Sequence, residues 1–488
     1  MKTFRAIGYR AAATALSAGM LFACSSDSST PAASTDGGSD STSPVREGGT
    51  LDTGTTTPDT GVATDAGPGA DVTDGGPGTE GSTPDAADAA DGASAEAEAA
   101  APATAITYTA ALDGNQETPP VTTTATGTAT LTLSADRTTL TYRVTHNVLG
   151  ATAAHIHLGA GGESIALIFT LALATASDAG VDASGEAGVD AGTGSTYEGT
   201  ISLVNGTDAG SGLTQAQIVN DLETGMFYIN VHSPAHTAGE IRGQILHPLE
   251  TLYVATLTGG QETPNPVTTT ATGDSAVILN AAKTGITYHL HTTATPTAAH
   301  IHSGIGSISG PVVFPLGAQP PASGTIDGTA SLVTADGGAI DPAEIAAGHW
   351  YVNVHTAANQ NGELRGQLLL PGQVLYTALM SPANEVPPVT SSTATGGAQF
   401  ILGTDKTTLA YEVVLNGFTP NAAPHIHAGT IGVSGLAIYT LTLAPPGAKG
   451  TQAVTPIDIA NLDTSSLYVN ATSAANTSGE IRGQIVKR

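Results

Sequence analysis

Apolar and polar residues alternate with a period of two along much of the chain after residue 105. Residues 128–133 alternate in this way, residues 134–137 are typical of a turn, and residues 140–145 alternate again. Because successive side chains of a strand point to opposite faces, this pattern predicts two antiparallel strands joined by a turn. Many such segments, separated by glycine and proline, predict an all-β fold built from antiparallel β-sandwiches.

One short helix is predicted in each of three places. Helix starts are indicated by Thr214 with Gln217, by Asp341 with Pro342 and Glu344, and by Thr455 with Pro456 and Asp458. A capping side chain gives the first free backbone N–H groups a partner, and proline is well tolerated at the first helical position.

The chain also repeats itself three times. An opening element, ALDGNQETPPVTTTATG in its first copy, is followed by an HIH element at His155, His300 and His425 and by a closing element such as YINVHSPAHTAGEIRGQI. The glutamate of the opening element precedes the first histidine by 38, 38 and 40 residues. This regular spacing predicts three domains, namely module 1 (105–248), module 2 (251–371) and module 3 (373–488).

The stretch between the HIH element and the closing element varies in length. It is longest in module 1, where residues 177–195 form an acidic insert. Variation in the middle of a repeat with regular ends predicts a surface loop at this position.

The first 104 residues have a different character. Residues 1–23 combine early basic residues with a short apolar run, which predicts a secretory signal, and Cys24, the single cysteine, is the predicted lipidation site of a bacterial lipoprotein. Residues 24–104 are rich in Ser, Thr, Gly, Pro, Ala and Asp. They cannot bury enough apolar surface to offset the entropy of ordering and are predicted to form a disordered stalk.

Acidic residues occur at higher density in the predicted stalk than in the modules, and the stalk has almost no basic residues. Residues 25–103 hold fifteen acidic residues against Arg46 alone, which is half of the net charge of −28. Nothing in this composition would neutralise phosphates, so nucleic acid is not expected as a partner.

Each module is predicted to place a recurrent set of polar side chains on one face of its strands, because residues two apart share a face. In module 1 these are His155, His157, Asn230, His232, Glu240 and Arg242. The matching residues are His300, His302, Asn353, His355, Glu363 and Arg365 in module 2, and His425, His427, Asn470, Glu480 and Arg482 in module 3.

Two interpretations of this polar face stay open. In the first, it is a hydrogen-bonded layer in which Arg242 pairs with Glu240 or another carboxylate and the histidines donate to backbone carbonyls. In the second, three histidines of a module bind Zn²⁺ or Cu²⁺. Thr472 replaces the closing histidine in module 3, leaving only a weaker site completed by a carboxylate such as Glu385 or Glu480. The substitution favours the hydrogen-bonded layer.

Other ionisable residues are weaker candidates for a functional site. His289 and His291 alternate on one predicted strand and are expected on an exposed face, while Glu117, Glu262 and Glu385 precede a proline turn that they are expected to cap or bridge. The sequence contains neither a G-x-S-x-G motif nor a glycine-rich phosphate loop ahead of a helix. We therefore do not predict an enzyme.

The order E-x-P-P-V, T-A-T-G, H-I-H-x-G, Y-V-N-V-H-T and G-E-I-R-G-Q resembles the CHRD domain, a module first recognised in chordin. The resemblance covers nearly all of residues 106–488 in three copies. It implies an extracellular, immunoglobulin-like β domain without established enzymatic activity. The cysteine-rich modules of chordin are missing from this sequence, so growth-factor binding is not implied.

These observations predict a protein of the bacterial cell envelope, lipid-anchored at the outer membrane or cell surface. It would touch the membrane through the lipid alone and display three modules that bind an unknown extracellular protein or surface ligand. The alternative is a metal-binding protein, with no cofactor certain and Cu or Zn as the candidates.

Overall fold

The computed structural model describes residues 104–174, 195–204, 212–317, 324–333 and 338–488. The predicted signal segment and Cys24 lie outside these ranges, as do the predicted stalk apart from residue 104 and the acidic insert apart from Ser195. Among the helices in these ranges, none has the length and apolar character needed to cross a membrane.

Module 1 is an antiparallel β-sandwich. It contains β1 (Ile106–Asp113), β2 (Thr126–Leu133), β3 (Thr139–His146), β4 (Ala153–Leu158), β5 (Ala166–Thr170), β6 (Thr196–Ser202), α1 (Gln215–Glu223), β7 (Phe227–His232) and β8 (Ile241–Gln244). Neighbouring strands follow the order β5-β4-β7-β8-β1-β2-β3-β6. Strands β8 and β1 pair only at Arg242 and Asp113, and this short pairing joins two layers that share one core.

Module 2 repeats this arrangement as two four-stranded sheets. It contains β9 (Thr251–Leu257), β10 (Gly273–Leu279), β11 (Gly285–Thr292), β12 (Pro296–Ser303), β13 (Val312–Pro315), β14 (Gly324–Ser331), α2 (Ala343–Ala346), β15 (Trp350–Thr356) and β16 (Leu364–Gln367). The strand orders are β14-β11-β10-β9 and β13-β12-β15-β16, and both sheets contribute to a core that includes Trp350.

Module 3 has the same two layers. It contains β17 (Val374–Met380), β18 (Thr395–Leu402), β19 (Thr408–Asn416), β20 (His425–Ala428), β21 (Ala437–Thr440), β22 (Leu443–Ala444), β23 (Gly447–Ala453), α3 (Pro456–Asp463), β24 (Leu467–Ala471), β25 (Ile481–Gln484) and β26 (Val486–Lys487). The strand orders are β22-β23-β19-β18-β17-β26 and β21-β20-β24-β25. The predicted all-β class with three tandem sandwiches is confirmed.

Two of the three helix starts have the expected capping contacts, since Thr214 and Thr455 each form a capping box with the third helical residue. Helix α2 begins one residue later than expected, so that Pro342 is its cap residue and makes no side-chain capping bond, while Asp341 Oδ1 accepts a hydrogen bond of 2.8 Å from the backbone N–H of Ala343. Short 3-10 helices follow the first strand of each module at Gly114–Gln116, Gly259–Gln261 and Pro382–Asn384, which the sequence pattern did not predict.

The last glycine of the closing element allows the two layers of each module to meet. A Cβ atom at Gly243 would lie 2.5 Å from the carbonyl oxygen of Ala111. The equivalent distances are 2.7 Å at Gly366 and 2.9 Å at Gly483. Because backbone atoms cannot give way as a flexible side chain can, a larger residue here would push the layers apart.

Consecutive modules are in direct contact. Module 1 contributes Ala160 to an apolar cluster with Leu252, Ala276 and Ile278 of module 2, and we call this contact the first junction. At the second junction, Leu369 of module 2 packs with Leu375 and Ile401 of module 3.

Candidate metal centres

Three histidines of module 1 converge because β4 and β7 pair side by side. The register places His155 opposite Asn230, His157 opposite Tyr228, and Ala153 opposite His232. In module 2, β12 and β15 bring His300, His302 and His355 together by the same pairing. Each of these histidines offers one ring nitrogen, and the three nitrogens of a module lie within 4.8 Å of one another.

The tautomers of several rings follow from their backbone contacts. Nδ1 of His232 lies 3.0 Å from the carbonyl oxygen of Thr237, and Nδ1 of His355 lies 2.9 Å from that of Gln360. A carbonyl oxygen can only accept, so Nδ1 carries the proton and Nε2 carries a lone pair. His302 is held in the same way by Gly310, at 2.9 Å.

Three buried ring nitrogens of the module 2 trio lack hydrogen-bond partners among the described residues. Among the described residues, none bonds to the buried Nδ1 of His300 or to the buried Nε2 atoms of His302 and His355. In module 1, His157 Nε2 is likewise buried without a partner, and His155 Nδ1 lies 2.9 Å from His232 Nε2. A buried polar atom without a partner costs about 1 to 3 kcal/mol, and a metal ion between the nitrogens would satisfy all three at once.

Burial keeps these imidazoles neutral. It lowers the pKa of each histidine in both trios, and in His157, where His155 and His232 add to the effect, the pKa falls to about 4. The neutral ring is the form that binds a metal, so the trios are in the ligating form at neutral pH.

Module 3 has the HIH pair but not the third histidine. Thr472 stands at the third position, where its hydroxyl donates a 2.6 Å hydrogen bond to Asn421 Oδ1. The carboxylates considered as substitutes have other partners: Asn470 donates to Glu385, and Ser473 and Asn476 donate to Glu480. Within the described ranges, no metal-binding trio forms around His425 and His427.

A stack of arginine, tyrosine and histidine supports each HIH element. The guanidinium carbon of Arg242 lies 3.4 Å from the centre of the Tyr228 ring, and His157 stacks on Tyr228 with ring centres 5.1 Å apart. The same arrangement recurs in the other two modules. It is formed by Arg365, Tyr351 and His302 in module 2 and by Arg482, Tyr468 and His427 in module 3. The sequence analysis did not single out this tyrosine, although its place at the start of the closing element in every repeat is a signal that could have identified it.

The expected pairing of Arg242 with Glu240 does not form. Arg242 instead donates to the carbonyl oxygens of Glu163 at 2.6 Å and Ala160 at 2.8 Å, while Glu240 accepts a hydrogen bond from Thr123. Arg365 bonds to the carbonyl of Ile305 in the same way, and Glu363 accepts from Thr269. The arginine therefore donates its hydrogen bonds to the loop that follows the HIH strand. No local sequence pattern predicts that this loop lies beside the arginine.

The side chain of the opening-element glutamate contacts the closing element of the same module. Asn353 donates to Glu262 over 2.8 Å, and a Cβ at Gly362 would lie 2.6 Å from the Glu262 carboxylate. Burial raises the pKa of Glu262 to about 7, as it does for Glu117 and Glu385. The glycine of the GE pair therefore makes room for a buried carboxyl group.

The expectation of an exposed face at His289 is wrong. His289 is buried, with its side chain 9% exposed, and it lies between Asp327 of its own module and Glu163 of module 1. Alternation predicted which face of β11 it occupies, but that face is covered by another module.

The family model of the CHRD domain matches residues 108–245, 253–368 and 376–485. No curated protein compared with the chain matches it. The three matched segments follow modules 1, 2 and 3 and together span well over half of the sequence. The chain therefore belongs to the CHRD domain family and carries three CHRD domains in tandem.

Proposed function

We propose that modules 1 and 2 each bind one transition metal ion through three histidines. The observation that carries this proposal is the group of buried ring nitrogens in module 2, of His300, His302 and His355, which lie near one another without hydrogen-bond partners among the described residues. A hydrogen-bonded layer would need a proton between each pair of nitrogens, whereas the contacts of His302 and His355 place their protons on the opposite side of the ring.

The ligand type indicates the class of metal. Neutral imidazoles suit Zn²⁺ and Cu²⁺, while Ca²⁺ and Mg²⁺ prefer oxygen ligands. Three protein ligands leave a further coordination position for water or another molecule.

Metal content of the full chain tests this proposal. The wild-type protein would be exposed to Zn²⁺ or Cu²⁺, dialysed and analysed by mass spectrometry, beside a variant with His155→Gln, His157→Gln, His300→Gln and His302→Gln. We expect the variant to hold two fewer ions per chain. A variant with His425→Gln and His427→Gln serves as the matched control and should keep the wild-type content. Equal metal content in the wild type and the four-fold variant would refute the proposal.

We further propose that the protein is held at the outer membrane or cell surface by a lipid on Cys24 and displays its three modules there. The support is the order of basic start, apolar run and cysteine in residues 1–24. Binding of an extracellular protein or surface ligand stays a prediction.

The anchor is tested by fractionation. Cys24→Ser should move the protein from the membrane fraction to the soluble fraction, with Ser25→Ala as the control that stays in the membrane fraction. Retention of Cys24→Ser in the membrane fraction would contradict a lipid anchor.

A further inference from the structure

A second group of metal-binding side chains lies at the first junction. Glu163 comes from the loop after β4 in module 1, while Asp274 and His291 are cross-strand partners on β10 and β11 of module 2. One ligand atom from each of the three lies within 4.8 Å of the others. The group is therefore complete only when the two modules are in contact.

The two carboxylates of this group are compensated unequally: burial opposes ionisation of Glu163, but the contact with His289 outweighs it and lowers the pKa of Glu163. The Glu163 side chain is 9% exposed, and its Oε2 lies 2.9 Å from His289 Nε2 and accepts a 3.2 Å hydrogen bond from the backbone of Ala160. Asp274 Oδ1 lies 3.5 Å from His291 Nδ1, but its buried Oδ2 has no partner among the described residues. Burial and the neighbouring Glu163 raise the pKa of Asp274 to about 6.

The second junction shows that module contact does not need these charges. By position in the repeat, Glu163, Asp274 and His291 correspond to Ile308, Gly397 and Val414. Ile308 packs so closely that a Cβ at Gly397 would lie 2.8 Å from its Cγ1 atom. The equivalent positions at the second junction hold no ionisable side chain, so contact between modules at this place does not require the charged group of the first junction, which calls for a separate explanation.

We propose that Glu163, Asp274 and His291 bind a divalent transition metal ion that links module 1 to module 2. Two carboxylates and one imidazole suit Zn²⁺ or a similar first-row ion, whereas Ca²⁺ would need six or more oxygen ligands. The ion would offset the repulsion between two carboxylates from different modules and give Asp274 Oδ2 a partner. This site is independent of the three-histidine sites.

Zn²⁺ binding to the full chain tests the junction site. The background is the four-fold variant His155→Gln, His157→Gln, His300→Gln and His302→Gln, which removes ligands from both trios. Isothermal titration with Zn²⁺ should find one remaining ion per chain. Adding Asp274→Asn, or separately His291→Val, which copies module 3, should weaken its binding more than tenfold.

The matched control is Glu344→Gln in the same background, because Glu344 lies in the first turn of α2, contacts His349 and belongs to neither metal group. It should leave Zn²⁺ binding unchanged. Circular dichroism would be used to check that every variant is folded. A folded background that binds no Zn²⁺, or binding that survives both Asp274→Asn and His291→Val, would overturn the proposal.

Discussion

At the scale of single residues, the chemistry of the two histidine trios depends on which ring nitrogen carries the proton. A backbone carbonyl five residues after the closing histidine binds Nδ1 in both modules, Thr237 for His232 and Gln360 for His355. The loop between the closing histidine and the GE pair therefore sets the tautomer and turns the lone pair of Nε2 toward the HIH strand.

Module 3 allows a gain-of-function test of this idea. Thr477 follows Thr472 by the same five residues, and His425 and His427 are already in place on β20. We expect Thr472→His to add one Zn²⁺ or Cu²⁺ ion per chain, measured by mass spectrometry after dialysis.

Thr472→Gln is the matched control for that experiment, since glutamine is similar in size but is a poor ligand for these ions. It should add no metal. If Thr472→His is folded and binds no additional ion, convergence of three histidines on this pair of strands is not sufficient for binding.

At the scale of strands and helices, local patterns predicted the elements but not their neighbours. Alternation indicated β2 and β3, and capping residues indicated α1 and α3, because both signals lie within a few residues of sequence. His155 and His232 are 77 residues apart, and only the long-range pairing of β4 with β7 brings them together. The three histidines of each trio could therefore be identified from the sequence, but the distances between their ring nitrogens could not.

The errors at this scale have a common physical cause. Arg242 was expected to bind a carboxylate, and His289 was expected to face solvent. Both instead contact the loop after β4, which accepts hydrogen bonds from Arg242 within module 1 and places Glu163 beside His289 across the first junction. A period of two tells which residues share a face of a strand, but it carries no information on what covers that face.

At the scale of the whole molecule, the second junction contains a titratable contact. His349 Nδ1 lies 2.7 Å from Glu344 Oε2 in module 2, and its Nε2 lies 3.0 Å from Glu412 Oε2 in module 3. The contact with Glu412, strengthened by Glu344, outweighs burial and raises the pKa of His349. The hydrogen bond with His349, together with a contact of 2.8 Å with Lys449, lowers the pKa of Glu412 to about 2, so Glu412 stays ionised in weak acid.

This contact predicts a pH dependence. A histidine whose pKa is raised on folding stabilises the protein fully below its unfolded pKa of about 6.5, and this stabilisation is lost as the pH rises through the folded pKa. We expect His349→Gln to lower the free energy of unfolding by about 1.5 kcal/mol at pH 6 and by less as the pH increases. Urea denaturation at several pH values measures the difference.

The control for that series is His247→Gln, because His247 pairs with Glu223 within module 1 and is more exposed. Its effect should be smaller at pH 6. A difference between wild type and His349→Gln that stays constant from pH 6 to pH 9 would contradict the assignment of a protonated His349 to this junction.

The close contact at each junction depends on a glycine that module 3 does not have. A Cβ at Gly161 would lie 2.7 Å from Val254, and one at Gly306 would lie 2.8 Å from Thr377, so each contact depends on a glycine. The equivalent residue of module 3 is Ile431, whose side chain is 79% exposed. Ile431 would obstruct a further module docked in the same way. We therefore expect this isoleucine to disfavour the same contact between module 3 of one copy and a module of another, a contact that could otherwise continue into an open-ended filament.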